Sequence, residues 1–187
     1  PSRRVSGRAT PPAPQPTSSQ GTGPVETSAP PADNGCVLNT TNQDISTTPP
    51  EAVRWVVDRW AVLPEVEGAG PCIEQDGYRV GFAPTETGAV LAVYHYFVHG
   101  IPGSPDEGTR GLLEYGLLDG PLKDSIMQQV TDVENGVEVR IPDSDYRGVE
   151  LSGYKVSSFD GDTAVIDLLI RNESSAGSLT AKLVWQD

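Results

Sequence analysis

The stretch Phe82-Ala-Pro-Thr-Glu-Thr-Gly-Ala-Val-Leu-Ala-Val-Tyr-His-Tyr-Phe-Val-His-Gly100 governs how the rest of the chain is read. From Ala89 to Val98 every residue is apolar or aromatic except His95. A helix built from it has no fully polar face, and such a helix is a buried one. The run is about half of the ~20 residues that cross a bilayer, so a core helix is expected. Its ends are signed by Thr85 as N-cap, Glu86 in the first turn, His95 and His99 near the C-terminal dipole, and Gly100 as the stop.

That helix needs a cover, and the C-terminal part supplies one. Beyond Asn135-Gly136 the apolar period changes to two: Val137, Val139 and Ile141 alternate with Glu138 and Arg140. A strand is expected over 149–158, where Gly153 separates two apolar parities and marks a β-bulge. Asp160-Gly161 is a hairpin turn. Ala164, Ile166, Leu168 and Ile170 form one face of the next strand, and Leu179, Ala181, Leu183 and Trp185 one face of the last.

Between helix and meander, Ser104-Pro105-Asp106-Glu107 reads as a capping box with proline at the first helical position. A third helix over 121–134 has Leu122, Ile126, Val130 and Val133 as one stripe. Upstream, residues 48–63 fit two patterns. Val53, Val56, Val57 and Trp60 have helical spacing, while Val53, Trp55 and Val57 alternate. The β-branched and aromatic content favours extended structure. Residues 78–82 read as a short strand. Helices followed by an antiparallel meander make an α+β fold, with helices packed on a curved antiparallel sheet as a cone-shaped roll.

The first 33 of the 187 residues hold eight prolines and no aromatic residue. Such a segment buries too little surface to fold, so 1–33 is expected to be a disordered Pro/Ser/Thr-rich tether and 34–187 a single domain. The tether carries Arg3, Arg4 and Arg8 against Glu26 and Asp33, a net of +1. Subtracting it from the whole-chain −13 leaves −14 on residues 34–187. A domain so acidic repels phosphate backbones, so nucleic acid is not an expected partner. The chain opens on Pro1 and its sole methionine is Met127. It therefore reads as an excised soluble region, with a membrane anchor expected upstream of Pro1.

Two cysteines, Cys36 and Cys72, lack metal-type spacing. A disulfide between them closes a loop of about 35 residues and implies an oxidising compartment. Two free buried thiols are the alternative.

Tyr94, His95, Tyr96 and His99 cluster on the central helix, and with Tyr115 they could line a small-molecule pocket holding an acid/base pair. Histidines in a last helical turn also have a structural explanation in the dipole. The four-residue spacing of His95 and His99 fits two metal ligands, but the glutamate of the metalloprotease motif is missing after His95, so no metal is expected. Asp143 with Asp145, and Asp160 with Asp162, lack a calcium loop and read as turn residues. Asn39 and Asn172 begin glycosylation-type triplets. Ser104 and Ser125 lack a nucleophile motif, so no catalytic residue, no enzymatic activity and no cofactor is expected.

Trp55, Leu63-Pro64, Gly70-Pro71 and above all Gly81-Phe82-Ala83-Pro84-Thr85-x-x-Gly88-Ala89-Val90-Leu91-Ala92 resemble a family of actinobacterial membrane-tethered proteins associated with conjugative and integrative elements. The resemblance covers roughly 52–187. It implies a nuclear-transport-factor-2-like outer domain similar to periplasmic subunits of type IV secretion systems. It further implies a non-catalytic scaffold at the extracytoplasmic face of the cell envelope. The expected partners are other membrane-complex proteins, with self-association into a homo-oligomer also open. This sequence departs from the family pattern in its two cysteines and its Val56–Ala61 segment. Two alternatives stand beside this reading. One is a small-ligand-binding or isomerase-like protein on the same roll, a fold class that hosts a steroid isomerase. The other is a secreted lipoprotein-like binding module.

Overall fold

The computed structural model describes residues 37–41, 51–100, 105–137, 146 and 148–186. The chain divides into two units, Pro1–Ala32 and Asp33–Asp187, and all the described residues belong to the second. The expected tether, the first strand after Asn135-Gly136 and the loop holding Asp143 and Asp145 lie outside the described residues.

The second unit is α+β. Two short hairpins come first: β1 (Arg54–Asp58) with β2 (Ala61–Glu65), then β3 (Ile73–Gln75) with β4 (Tyr78–Val80). Three helices follow, α1 (Glu86–His99), α2 (Glu107–Gly111) and α3 (Pro121–Glu134), with a π-helical stretch, Leu112–Gly116, continuing α2. The meander β5 (Glu150–Phe159), β6 (Thr163–Arg171) and β7 (Ala176–Val184) completes the unit as an antiparallel sheet in that order.

α1 is the buried helix that its composition demands. Thr85 is extended and its hydroxyl accepts from the Gly88 amide at 3.1 Å, a cap worth about 1 kcal/mol. The Gly88 position is sterically exclusive, because a Cβ there would stand 2.1 Å from the Ala83 carbonyl oxygen. Gly88 therefore lets the Phe82–Thr85 turn lie directly against the helix start. Ala89, Val90 and Val93 pack on Ala164, Ile166 and Leu168 of β6. On another side Val98 packs on Ala61 and Leu63 of β2. Each fully buried Val, Leu or Ile contributes about 1.5–3 kcal/mol. The sheet and the first hairpin thus both cover α1.

Extended structure holds over Arg54–Asp58, but residues 48–63 do not form one strand. The chain reverses at Arg59, which takes φ +54°. The bulge expected at Gly153 is present, since the β5–β6 register slips between Leu151 and Gly153. A second slip lies between Val156 and Ser158. α2 does not begin at the Ser104-Pro105 signal. Its cap is Asp106, which accepts from the Thr109 amide at 2.8 Å while Thr109 Oγ1 lies 3.4 Å from the Asp106 amide. The α3 stripe is buried only at Ile126 and Val130, and Leu122 is exposed.

Candidate functional site

The turn between β1 and β2 delivers two charged residues to the C-terminal end of α1. Arg59, almost fully buried, donates from Nη1 to the Val98 carbonyl at 2.8 Å and places Nε 3.1 Å from Asp106 Oδ2. A cation on the last carbonyls of a helix suits its dipole. Asp58 faces the two histidines, with Oδ2 3.2 Å from His99 Nε2 and 3.5 Å from His95 Nδ1. The four-residue spacing on one helix puts both rings on the same side. Thr109 Oγ1, 3.1 Å from the His99 carbonyl, ties α2 to the same point.

His95 and His99 are both buried. Phe82 lies against the His95 ring and Tyr78 against the His99 ring, with centroids 5.4 Å apart in each case. Among the described residues, neither ring nitrogen of His95 has a hydrogen-bond partner, nor does His99 Nδ1, which lies 4.0 Å from Asp106 Oδ1.

Burial pushes the His95 imidazole down, and Asp58 offsets this only in part. Burial also acts downward on His99, but the two carboxylates beside it, Asp106 and Asp58, outweigh it and raise it overall. Burial raises the Asp58 carboxyl, and the two histidines more than reverse this, holding it well below the carboxylate range. Asp106, also raised by burial, is brought down to about 2 by His99, the Thr109 amide and Arg59. The carboxylates thus set the two rings apart, His99 raised and His95 lowered from the ordinary imidazole value.

A separate cavity of about 870 Å³ opens between α1, the π-helical stretch and β7, with Tyr78, Phe82, Tyr96, Tyr115 and Trp185 among its lining residues. Tyr115 donates to Asp76 Oδ2 at 2.8 Å, which raises the phenol. The structure does not gather Tyr94, His95 and Tyr115 into one site. Tyr115 lines the cavity, His95 faces Asp58, and Tyr94 packs against the β-sheet core with its phenol pushed up by burial to about 12.

Cys72 is not a free thiol, and Cys36 lies outside the described residues. Asp160 serves the hairpin turn, as its residue type implies: Oδ1 accepts from the Asp162 and Thr163 amides. Asn39 and Asn172 use their side-chain oxygens in local turns, with Thr41 and with Ser174 and Ser175.

Sequence reasoning missed Asp58 and Asp106. Asp58 follows a short apolar strand and precedes a turn without glycine or asparagine, so nothing local marks it. Asp106 carries a local signal, the Asp106-x-x-Thr109 cap, which the stronger Ser104-Pro105 pattern conceals.

A family model described as a domain of unknown function (DUF8175) matches residues 6–187. No curated protein matches the chain, and no solved structure does.

Proposed function

The chain belongs to the DUF8175 family, and from that premise we propose that its domain is a non-catalytic protein-docking module. One observation carries the reading. The β1–β2 hairpin is apolar on both faces: Val56, Ala61 and Leu63 turn inward to Val98, while Trp55, Val57 and Val62 turn to solvent. Trp55 is 64% exposed and Val57 76%. Antiparallel register sets Val57 opposite Val62 and Trp55 opposite Pro64, so the outward residues form one patch. Arg54 and Glu65 pair across its end. An apolar centre with a tryptophan and a charged rim has the anatomy of an interaction surface.

The resemblance in the Phe82–Ala92 region supports an assembly role in a conjugation or type IV secretion-like apparatus at the cell envelope, on the same cone-shaped roll. We place a Cys36–Cys72 disulfide in that setting. No helix among the described residues is long and apolar enough to cross a membrane. The test is photo-crosslinking from position 57 in the native host. Capture of channel or ATPase subunits of a secretion apparatus, abolished by Trp55→Ser with unchanged thermal stability, is the expected result. Capture that is indifferent to Trp55→Ser overturns it.

The cavity supports a second reading, a small-ligand-binding protein. Native mass spectrometry of protein purified from its host separates the two: a stoichiometric bound small molecule displaced by Tyr96→Ala favours the cavity.

A further inference from the structure

We propose that Asp58, His95 and His99 form a mononuclear site for a divalent transition-metal ion of zinc type. Zinc binds imidazole nitrogen and carboxylate oxygen at about 2.0–2.2 Å, which puts neighbouring ligand atoms of a tetrahedral site about 3.3 Å apart. The two edges that meet at Asp58 Oδ2 are 3.2 and 3.5 Å. All three ligand atoms lie within 4.8 Å of one another. The histidine–histidine edge is no longer than 4.8 Å, so bringing it to the tetrahedral value takes ring movement of at most about 1.5 Å.

A second observation points to the same ion. His95 is fully buried, its Nδ1 is aimed at Asp58, and neither of its ring nitrogens has a hydrogen-bond partner among the described residues. An imidazole left so is costly, because buried polar atoms are almost always satisfied. A metal on Nδ1 satisfies that nitrogen and brings Asp58 and His99 with it. His99 would bind through Nε2, with its other nitrogen turned to Asp106 Oδ1, 4.0 Å away. That is the outer carboxylate that commonly orients a metal-bound histidine. Arg59 offsets the Asp106 charge at 3.1 Å, so with neutral imidazoles one negative charge, that of Asp58, faces the ion. Asp58 is also the partly exposed member, its side chain 14% accessible, and gives an entry path. Three protein ligands leave a fourth position for water or another donor. Two nitrogens and one oxygen favour zinc, cobalt or iron over calcium and magnesium.

The chain contains only two histidines, which makes the site assignable by spectroscopy. Untagged protein stripped by chelator is titrated with zinc(II) and with cobalt(II) at about neutral pH. The expected result is one equivalent per chain, a rise in thermal midpoint, and X-ray absorption showing two imidazoles on the zinc. Asp58→Asn and His95→Gln should each weaken binding at least tenfold, and Asp106→Asn, a positioning change, about tenfold. The absorption measurement on the unaltered protein keeps the test decisive if a variant fails to fold. No stoichiometric binding, or binding without an imidazole signature, overturns the proposal and leaves Asp58 as the counter-ion of a buried imidazolium. Affinity unchanged in Asp58→Asn overturns it too.

Discussion

His99 Nε2 stands 3.2 Å from Asp58 Oδ2 although 41 residues separate them, and the contact locks the first hairpin to the end of the buried helix. Asp58→Ala removes the carboxylate that faces both buried imidazoles. Leaving a buried polar group without its partner in this way costs about 1–3 kcal/mol. Urea denaturation with a chelator present, so that metal does not contribute, is the check. A loss under about 1 kcal/mol would mean that the contact holds nothing together.

Gly108 is the tightest point around the cluster. A Cβ there would stand 2.3 Å from His99 Nδ1 and 2.7 Å from the Gly77 carbonyl oxygen. Gly108→Ala should therefore destabilise by about 1–3 kcal/mol and displace the His99 ring. Gly177→Ala, in β7 with nothing within 4 Å of the added methyl, is the control and should be neutral or slightly stabilising. Thermal midpoints and the imidazole proton resonances of the two variants distinguish these outcomes.

The Asp160 carboxyl is held below the ordinary carboxylate range by the Thr163 amide and hydroxyl first, with the Asp162 amide adding to them. A group depressed in the folded state supports that state fully above its unfolded pKa and loses the contribution as pH falls through the folded value. Carboxyl NMR should show Asp160 titrating below the ordinary value for aspartate. Asp160→Ala should lower stability at neutral pH and above, where the contribution is complete, and flatten the acid limb, so that variant and parent converge in acid. An Asp160 that titrates at the ordinary value would show that its turn contacts are not held in solution.

The proposed Cys36–Cys72 pair has a direct readout. Alkylation of unreduced protein should add no label, and alkylation after reduction should add two. Closing a loop of about 35 residues is worth roughly 3–4 kcal/mol in the chain-entropy model. Reduction should lower the denaturant midpoint accordingly, and two labels before reduction would remove the pairing.

Legibility in the sequence followed the range of the interactions. α1 could be read to the residue at both ends because its signals are local: a threonine cap, an unbroken apolar run, and Gly100. The β5–β6 hairpin was equally legible through Asp160-Gly161, and the bulge through the parity change at Gly153. The first hairpin was ambiguous because its strands are apolar on both faces, which erases the alternation that separates strand from helix. Its turn falls at Arg59 in a left-handed conformation, a residue type that gives no warning. The histidine cluster was half visible. His95 and His99 share a helix face, but Asp58 reaches them only through tertiary structure. The π-helical stretch Leu112–Gly116 has no sequence signature.

Trp185 donates its indole N–H to the Phe82 carbonyl at 3.1 Å, across 103 residues. During synthesis, the turn that starts α1 therefore emerges from the ribosome long before the residue that pins it. The oily faces of α1 meant for β6 stay bare until residues 163–171 have been made. Contacts so far apart in sequence slow folding, and the exposed interval invites association between nascent chains. A holding chaperone is the natural guardian of that interval, and chains halted before Trp185 should need it most.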